Sequence, residues 1–292
     1  MSAWFLTLVT DPARFPLAPA LVARVRDALA AGPPDWLAAE EAADLPLADA
    51  PDPARVRAAL DSAPVDALAV PAAGRRKRLL LADMDSTIVT GETLDELADF
   101  AGLKDRIAAI TARSMNGEID FATALRERVA LLRGLPVSAL GATWDRMRLT
   151  PGAVELVATM RAAGALTALV SGGFTWFTER VAAQVGFDHH RANVLEHDGS
   201  ALRGTVAEPI LDRDAKLAAL RGFCRVLGVG PEAAAAVGDG ANDLAMLGAA
   251  GLGVAFRAKP VVAAAARLRV DHAGLRAVLF AQGFRAGEIR GG

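Results

Sequence analysis

The chain has 292 residues, of which 53% are hydrophobic and 23% charged, the balance of a folded soluble protein with room for about two domains or one domain carrying an insertion. Thirty-two basic residues against 34 acidic leave a net charge of −2, so no overall field favours nucleic acid or an anionic membrane, and any anion must be met by a local site. Cys224 is the single cysteine, which excludes an internal disulfide; within Gly222-Phe223-Cys224-Arg225-Val226-Leu227 it reads as a small buried hydrophobe.

The opening, Met1 to Thr10, lacks the positive region of a secretory signal and breaks at Asp11-Pro12. No apolar run approaches the ~18 residues of a membrane helix. A cytoplasmic protein with no nucleic acid or membrane partner is expected. Residues 1–74 read as a small α+β unit: strand 4–10, helix 18–31 ended by Gly32-Pro33-Pro34, helix 53–60 and strand 65–70. Loops are expected between Leu45 and Pro53 and at Pro71-Ala72-Ala73-Gly74, and no chemistry is visible in this unit. Arg75-Arg76-Lys77-Arg78 reads as a solvated linker at the edge of a strand.

Residues 75–292 show a different pattern, short apolar runs alternating with helical stretches. The runs at 79–82, 166–170, 233–237 and 252–255 are apolar throughout, as strands buried on both faces must be. The fold class is therefore α/β, a Rossmann-like doubly wound parallel sheet. About 80 residues separate the first two runs, more than a crossover needs, and predict an inserted helical cap at about 91–149, with helices 93–101, 104–116, 121–133 and 137–146. His197-Asp198-Gly199-Ser200 is the turn of a hairpin between 193–196 and 202–206, and His189-His190 reads as an exposed turn.

Three of the strands run into polar clusters, and ligands of open α/β sheets bind beyond such carboxyl ends. In Asp83-Met84-Asp85-Ser86-Thr87 two carboxylates stand two residues apart. A carboxylate is ionised at neutral pH and needs no base to act as a nucleophile, while a second can protonate a leaving alkoxide and then take a proton from water. Two such charges beside a phosphate require a cation; the alternative is that Asp-x-Asp merely caps the next turn. Gly238-Asp239-Gly240-Ala241-Asn242-Asp243 supplies oxygen ligands of the kind Mg²⁺ prefers, Asp239 foremost, with Asp243 placed to orient a metal-bound water and Asn242 to hold its neighbours; taken alone, both are equally helix caps. Ser171-Gly172-Gly173, before a helix, offers a hydroxyl and backbone N–H groups to a phosphate, and Lys216 offers a charge to both the Asp83 carboxylate and a phosphoryl oxygen.

The order Asp-x-Asp-Ser-Thr, Ser-Gly-Gly, Lys, Gly-Asp-Gly-x-Asn-Asp closely resembles the haloacid dehalogenase-like superfamily of aspartyl-phosphate hydrolases. Gly91-Glu92-Thr93-Leu94-Asp95-Glu96 and Met115-Asn116-Gly117 through Phe121 to Leu125-Arg126-Glu127-Arg128-Val129 make residues 79 to about 280 look like its phosphoserine phosphatase branch. The resemblance implies Asp83 as nucleophile, Asp85 as general acid and base, and Mg²⁺ held by Asp83, Asp239 and the Asp85 carbonyl. It implies a phosphoryl group held by Ser171, Gly172 and Lys216, an acid at Glu92 and a carboxylate clamp at Arg128 for the amino acid part of the substrate, and a pocket wall of Met115 and Phe121. The implied reaction is hydrolysis of O-phospho-L-serine, the last step of serine biosynthesis. Two alternatives stay open: a related phosphomonoesterase or a phosphotransferase with an acceptor such as homoserine, and an amino acid-sensing protein with a relic catalytic fold. Residues 1–74 resemble, faintly, the regulatory amino acid-binding (ACT-like) modules found ahead of such enzymes, and a homodimer is left open.

Overall fold

The computed structural model describes residues 3–115 and 118–292, with the side chains of Met115 and Arg213 outside the description. Near the N-terminus, β1 (Trp4–Val9), β2 (Asp35–Ala38), β3 (Ala42–Leu47) and β4 (Asp66–Pro71) form an antiparallel sheet in the order β2-β3-β1-β4. Side chains alternate across it, as the period of a strand requires. Leu6, Leu8, Ala43 and Leu45 pack under α1 (Pro19–Leu29) and α2 (Pro53–Leu60), whereas Val9, Leu68 and Val70 join the large core of the rest of the chain.

The larger sheet is parallel throughout: β5 (Leu79–Ala82), β6 (Leu166–Phe174), β7 (His189–Asn193), β10 (Ala234–Gly238), β11 (Leu252–Phe256) and β12 (Leu268–Val270), in the order β12-β11-β10-β5-β6-β7. Every residue of β5 is completely buried. Leu80 and Ala82 face α7 (Ala153–Ala162), α8 (Thr175–Val185) and α12 (Arg276–Ala281), and Leu79 and Leu81 face α9 (Arg213–Leu227), α10 (Leu244–Ala249) and α11 (Pro260–Ala265). From β5 the chain winds outward through β6 and β7, then crosses to the other side through β10, β11 and β12. The direction of winding therefore reverses between β5 and β10, and their carboxyl ends open a crevice there.

The cap between β5 and β6 consists of α3 (Thr93–Phe100), α4 (Lys104–Met115), α5 (Phe121–Leu131) and α6 (Ser138–Arg146). Its base is pinned where Thr90 N–H donates to the Arg148 carbonyl and Thr150 N–H to that of Ile88. The hairpin of β8 (Leu195–His197) and β9 (Leu202–Val206) docks on the cap: Gly134 N–H donates to the Leu202 carbonyl, and Val137 N–H to that of Ser200. Gly204 has φ +73°, and a Cβ there would stand 2.8 Å from Arg133 Cβ.

Arg75 fastens the small sheet to the large domain. Its guanidinium donates to both carboxylate oxygens of buried Asp44 at 2.6 and 2.7 Å and, through Nε, to the Ala281 carbonyl at 2.8 Å. Asp66 completes the joint by accepting from the backbone N–H groups of Asp271, His272 and Ala273.

Several sequence-based expectations are corrected. The stretch expected as loop from Leu45 begins inside β3, and β2, β3 and β12 were unforeseen, because short or Pro-containing strands carry little periodicity. His189 and His190 lie on the exposed edge strand β7, not in a turn. Asn193 closes that strand rather than opening the hairpin, and β6 runs on through Ser171-Gly172-Gly173, which stay extended.

Candidate active site

Asp83 follows β5, its own N–H bonded to the Val237 carbonyl, so it stands at the mouth of the crevice. Its Oδ1 accepts from Met84 N–H and, at 2.8 Å, from the Lys216 ammonium. Lys216 rises from the second turn of α9 and is 1% exposed. The same ammonium donates to Asp243 Oδ1 at 2.6 Å, so one cation serves two buried carboxylates. Burial and the nearby Asp243 push the Asp83 carboxyl well above its ordinary range, against the pull of Lys216. Lys216 is itself raised, the two carboxylates outweighing its burial.

Asp85 sits in an abrupt turn whose next residue, Ser86, has φ +53°. That turn swings Asp85 away from the sheet and onto the start of α3, where Oδ1 accepts from Thr93 N–H at 2.9 Å. The Ser171 hydroxyl donates to Oδ2 at 3.4 Å. Burial, and then the charge of Glu92, raise Asp85 to about 7. Gly173 is there for space: a Cβ would stand 2.9 Å from Asp85 Oδ2 and 3.1 Å from Ser171 Oγ. Phe121, at the start of α5, closes over Gly172, its ring 3.2 Å from where a Cβ would be.

Asp239 leaves β10 between two glycines, and at Gly238 a Cβ would meet Asp243 Cγ at 2.4 Å, so that glycine makes room for the second acid. Gly240 N–H donates to Asp243 Oδ2. Asn242 is half-buried, its Oδ1 lying against Gly240. Burial raises Asp239 to about 6, with Lys259 opposing. Carboxylate oxygens of Asp83, Asp239 and Asp243 all lie within 4.8 Å of one another. Three buried acids served by a single buried lysine carry surplus negative charge, and a hard divalent cation with oxygen ligands fits that donor set.

On the cap side, the Ser86 hydroxyl donates to Glu92 Oε1 at 3.0 Å. Arg128 donates through Nε to the Ala124 carbonyl; burial pulls its guanidinium down, and the charges of Asp95 and Glu92 hold it up. Of the residues singled out in the sequence, Asp83, Asp85, Ser171, Lys216, Asp239 and Asp243 converge directly. Glu92, Arg128, Phe121, Gly172 and Asn242 line the surroundings. The Met115 side chain lies outside the described residues.

Four contributors escaped the sequence reading. Thr93 supplies the N–H that holds Asp85. Asp95, three residues beyond Glu92, is raised by burial and by the charge of Glu92, with Arg128 opposing; that spacing was a usable signal. Asn193 donates to the Gly172 carbonyl at 2.9 Å and accepts from Leu211 N–H at 2.7 Å, tying the Ser-Gly-Gly strand end to the approach of α9. Lys259, just before Pro260 at a strand-to-helix junction, faces Asp239 and Glu92.

Residues 80–248 match the family model of haloacid dehalogenase-like hydrolases. A phosphoserine phosphatase from Archaeoglobus fulgidus is 47% identical over 188 residues, 64% of this chain and 55% of that protein. The chain spans similar shares, 53 and 59%, of two further curated relatives. Among solved structures, a HAD family hydrolase from Salmonella enterica serovar Typhi superposes with a TM-score of 0.84 at 30% identity, covering 96% of this chain and 98% of that one. A probable phosphoserine phosphatase from Vibrio cholerae gives 0.79 at 29% identity, covering 98 and 88%. With the family match spanning more than half its length and centred on the crevice, the chain belongs to the haloacid dehalogenase-like hydrolases.

Proposed function

We propose that this protein is a phosphoserine phosphatase, hydrolysing O-phospho-L-serine through an aspartyl-phosphate on Asp83. The observation that carries the reading is the meeting of Asp83, Asp239 and Asp243 beside Lys216 at the reversal of the sheet, with Asp85 held apart on the cap side. Its chemistry is supported by relatives that carry that name.

Both contacts of Asp83 fall on Oδ1, which leaves Oδ2 to attack phosphorus. Asp85, raised to about 7, holds a proton near neutral pH and gives it to the serine oxygen as the ester bond breaks. The resulting carboxylate then takes a proton from water, which attacks the aspartyl-phosphate, frees inorganic phosphate and restores Asp83. Lys216, Ser171 and the Gly172 backbone steady the phosphoryl oxygens. A divalent cation, Mg²⁺ in this reading, would be held by Asp83, Asp239 and the Asp85 carbonyl with Asp243 and Asn242 behind them, and supplies charge neutralisation when bound. Glu92 receives the substrate ammonium and Arg128 its carboxylate, a match of charge and fork geometry, while Phe121 and Met115 wall the pocket. We assign this chemistry to residues 75–292, capped at about 91–149, and place it in the cytoplasm at the end of serine biosynthesis.

Phosphate release from phosphoserine, phosphothreonine and sugar phosphates, with and without Mg²⁺, tests the reading. Phosphoserine should be preferred, and Glu92→Gln and Arg128→Lys should each raise KM for it roughly 10- to 100-fold while sparing esters without amino and carboxylate groups. A wild-type preference for sugar phosphates would overturn the Glu92 and Arg128 assignments.

A further inference from the structure

Lys259 precedes α11 at the rim of the crevice, and its own N–H is bonded to the Asp239 carbonyl at 3.2 Å. The backbone is thereby anchored to the end of β10 while the side chain spans the cleft. The ammonium lies 3.5 Å from Asp239 Oδ2 and 3.5 Å from Glu92 Oε1. These two acids belong to different tasks in the function proposed above: Asp239 to the divalent ion, Glu92 to the substrate ammonium. They also follow different elements, Asp239 just past the end of β10 in the core sheet and Glu92 at the entry to the cap.

We propose that Lys259 is a placeholder cation, its ammonium standing between Asp239 and Glu92 and giving way when a divalent ion and the substrate ammonium take over those two charges. The inference rests on the cation site and substrate orientation of that proposed function. Both contacts are ion pairs at the long end of the range, not close hydrogen bonds, and the Lys259 side chain is 51% exposed, against 6% for that of Asp239. A compact charge on a flexible four-carbon stem can swing to solvent with little rearrangement, whereas buried Asp239 cannot leave. The device lowers the repulsion between the two acids and links cap to core. In return it competes with the incoming ion, so cation affinity is weaker than the donor set alone would give.

Lys259→Met therefore has a definite signature in the absence of substrate. Removing one positive charge within a few ångströms of a divalent ion at a half-exposed site should tighten the Mg²⁺ dissociation constant about three- to tenfold in calorimetric titration of the whole protein. Lys259→Arg, which keeps the charge, should stay within about twofold of wild type. Lys259→Met should also melt below wild type in metal-free buffer and match it at saturating Mg²⁺. Lys77→Met is the control, since it removes the same net charge at the far end of β5, where Lys77 binds the Gly74 and Glu232 carbonyls. An unchanged Mg²⁺ affinity in Lys259→Met, or equal tightening in Lys77→Met, overturns the placeholder. Asp239→Asn separates the two claims: if it fails to weaken Mg²⁺ binding, the cation site itself is wrong; if it weakens binding while Lys259→Met changes nothing, the placeholder alone falls.

Discussion

Replacing Lys216 by methionine is the most demanding perturbation of this site. The substitution keeps the length and apolar stem of a side chain that is 1% exposed, and removes an ammonium 2.8 Å from Asp83 and 2.6 Å from Asp243. Two buried carboxylates would then face each other with the backbone N–H groups of Met84 and Gly240 as donors but no cation between them. Breaking a buried ion pair from one side costs about 3–5 kcal/mol, a large share of the roughly 5–15 kcal/mol that stabilises a typical protein. At about 2–4 °C per kcal/mol for a chain of this size, the melting temperature of the metal-free protein should fall by roughly 6–20 °C. The pH dependence has a determined sign. The Asp83 carboxyl is already raised in the folded state, so its penalty grows as pH climbs through and above the ordinary carboxylate range. Without Lys216 it rises further, and the variant should regain stability as pH is lowered from 7.5 toward 5. Differential scanning calorimetry at both pH values measures this, and Lys216→Met combined with Asp243→Asn should recover part of the loss by removing the second charge. A melting temperature within about 1 °C of wild type at pH 7.5 would refute the reasoning, because it would mean that the cluster is solvated.

Mg²⁺ should raise the melting temperature more at pH 7.5 than at pH 5.5: Asp85 and Asp239, raised to about 7 and about 6, are protonated at the lower pH and offer the ion less charge, which a thermal shift series in EDTA and Mg²⁺ resolves. Gly173→Ala should lower kcat by at least about tenfold with a melting temperature close to wild type, since its Cβ would stand 2.9 Å from Asp85 Oδ2 and must displace the proton donor; steady-state kinetics beside circular dichroism separates the two effects. Arg75→Met should do the reverse, destabilising the fold by about 3–5 kcal/mol in urea titration while leaving kcat of the folded protein unchanged, because its partners Asp44 and the Ala281 carbonyl lie at the joint between the sheets.

Local chemistry made much of the large domain legible. The runs at 79–82 and 252–255 are apolar on both faces because a parallel sheet covered by helices leaves neither face in water, and both strands are found there. The polar clusters after the runs at 79–82, 166–170 and 233–237 announced a site, since the carboxyl ends of such strands are where backbone and short side chains open to ligand. Glycines flanking Asp239 mark where another atom comes close: a Cβ on Gly238 would stand 2.4 Å from Asp243 Cγ. Edge strands were less legible: β7, His-His-Arg-Ala-Asn, is solvated on its outer side and lacks the alternation that would announce it.

What the sequence by itself determined was the kind of chemistry and its order along the chain: an acid pair, a Ser-Gly-Gly strand end, a lysine, a second acid pair. Those features are short-range, set by residue type and by the strand or helix each one follows. What only the tertiary structure decided was partnership. That Lys216 divides itself between Asp83 and Asp243, that Asn193 ties Gly172 to the approach of α9, and that Lys259 reaches both Asp239 and Glu92 depend on contacts across 18 to 167 positions of chain. Such contacts are fixed by packing, and no local pattern encodes which distant charge a side chain will meet.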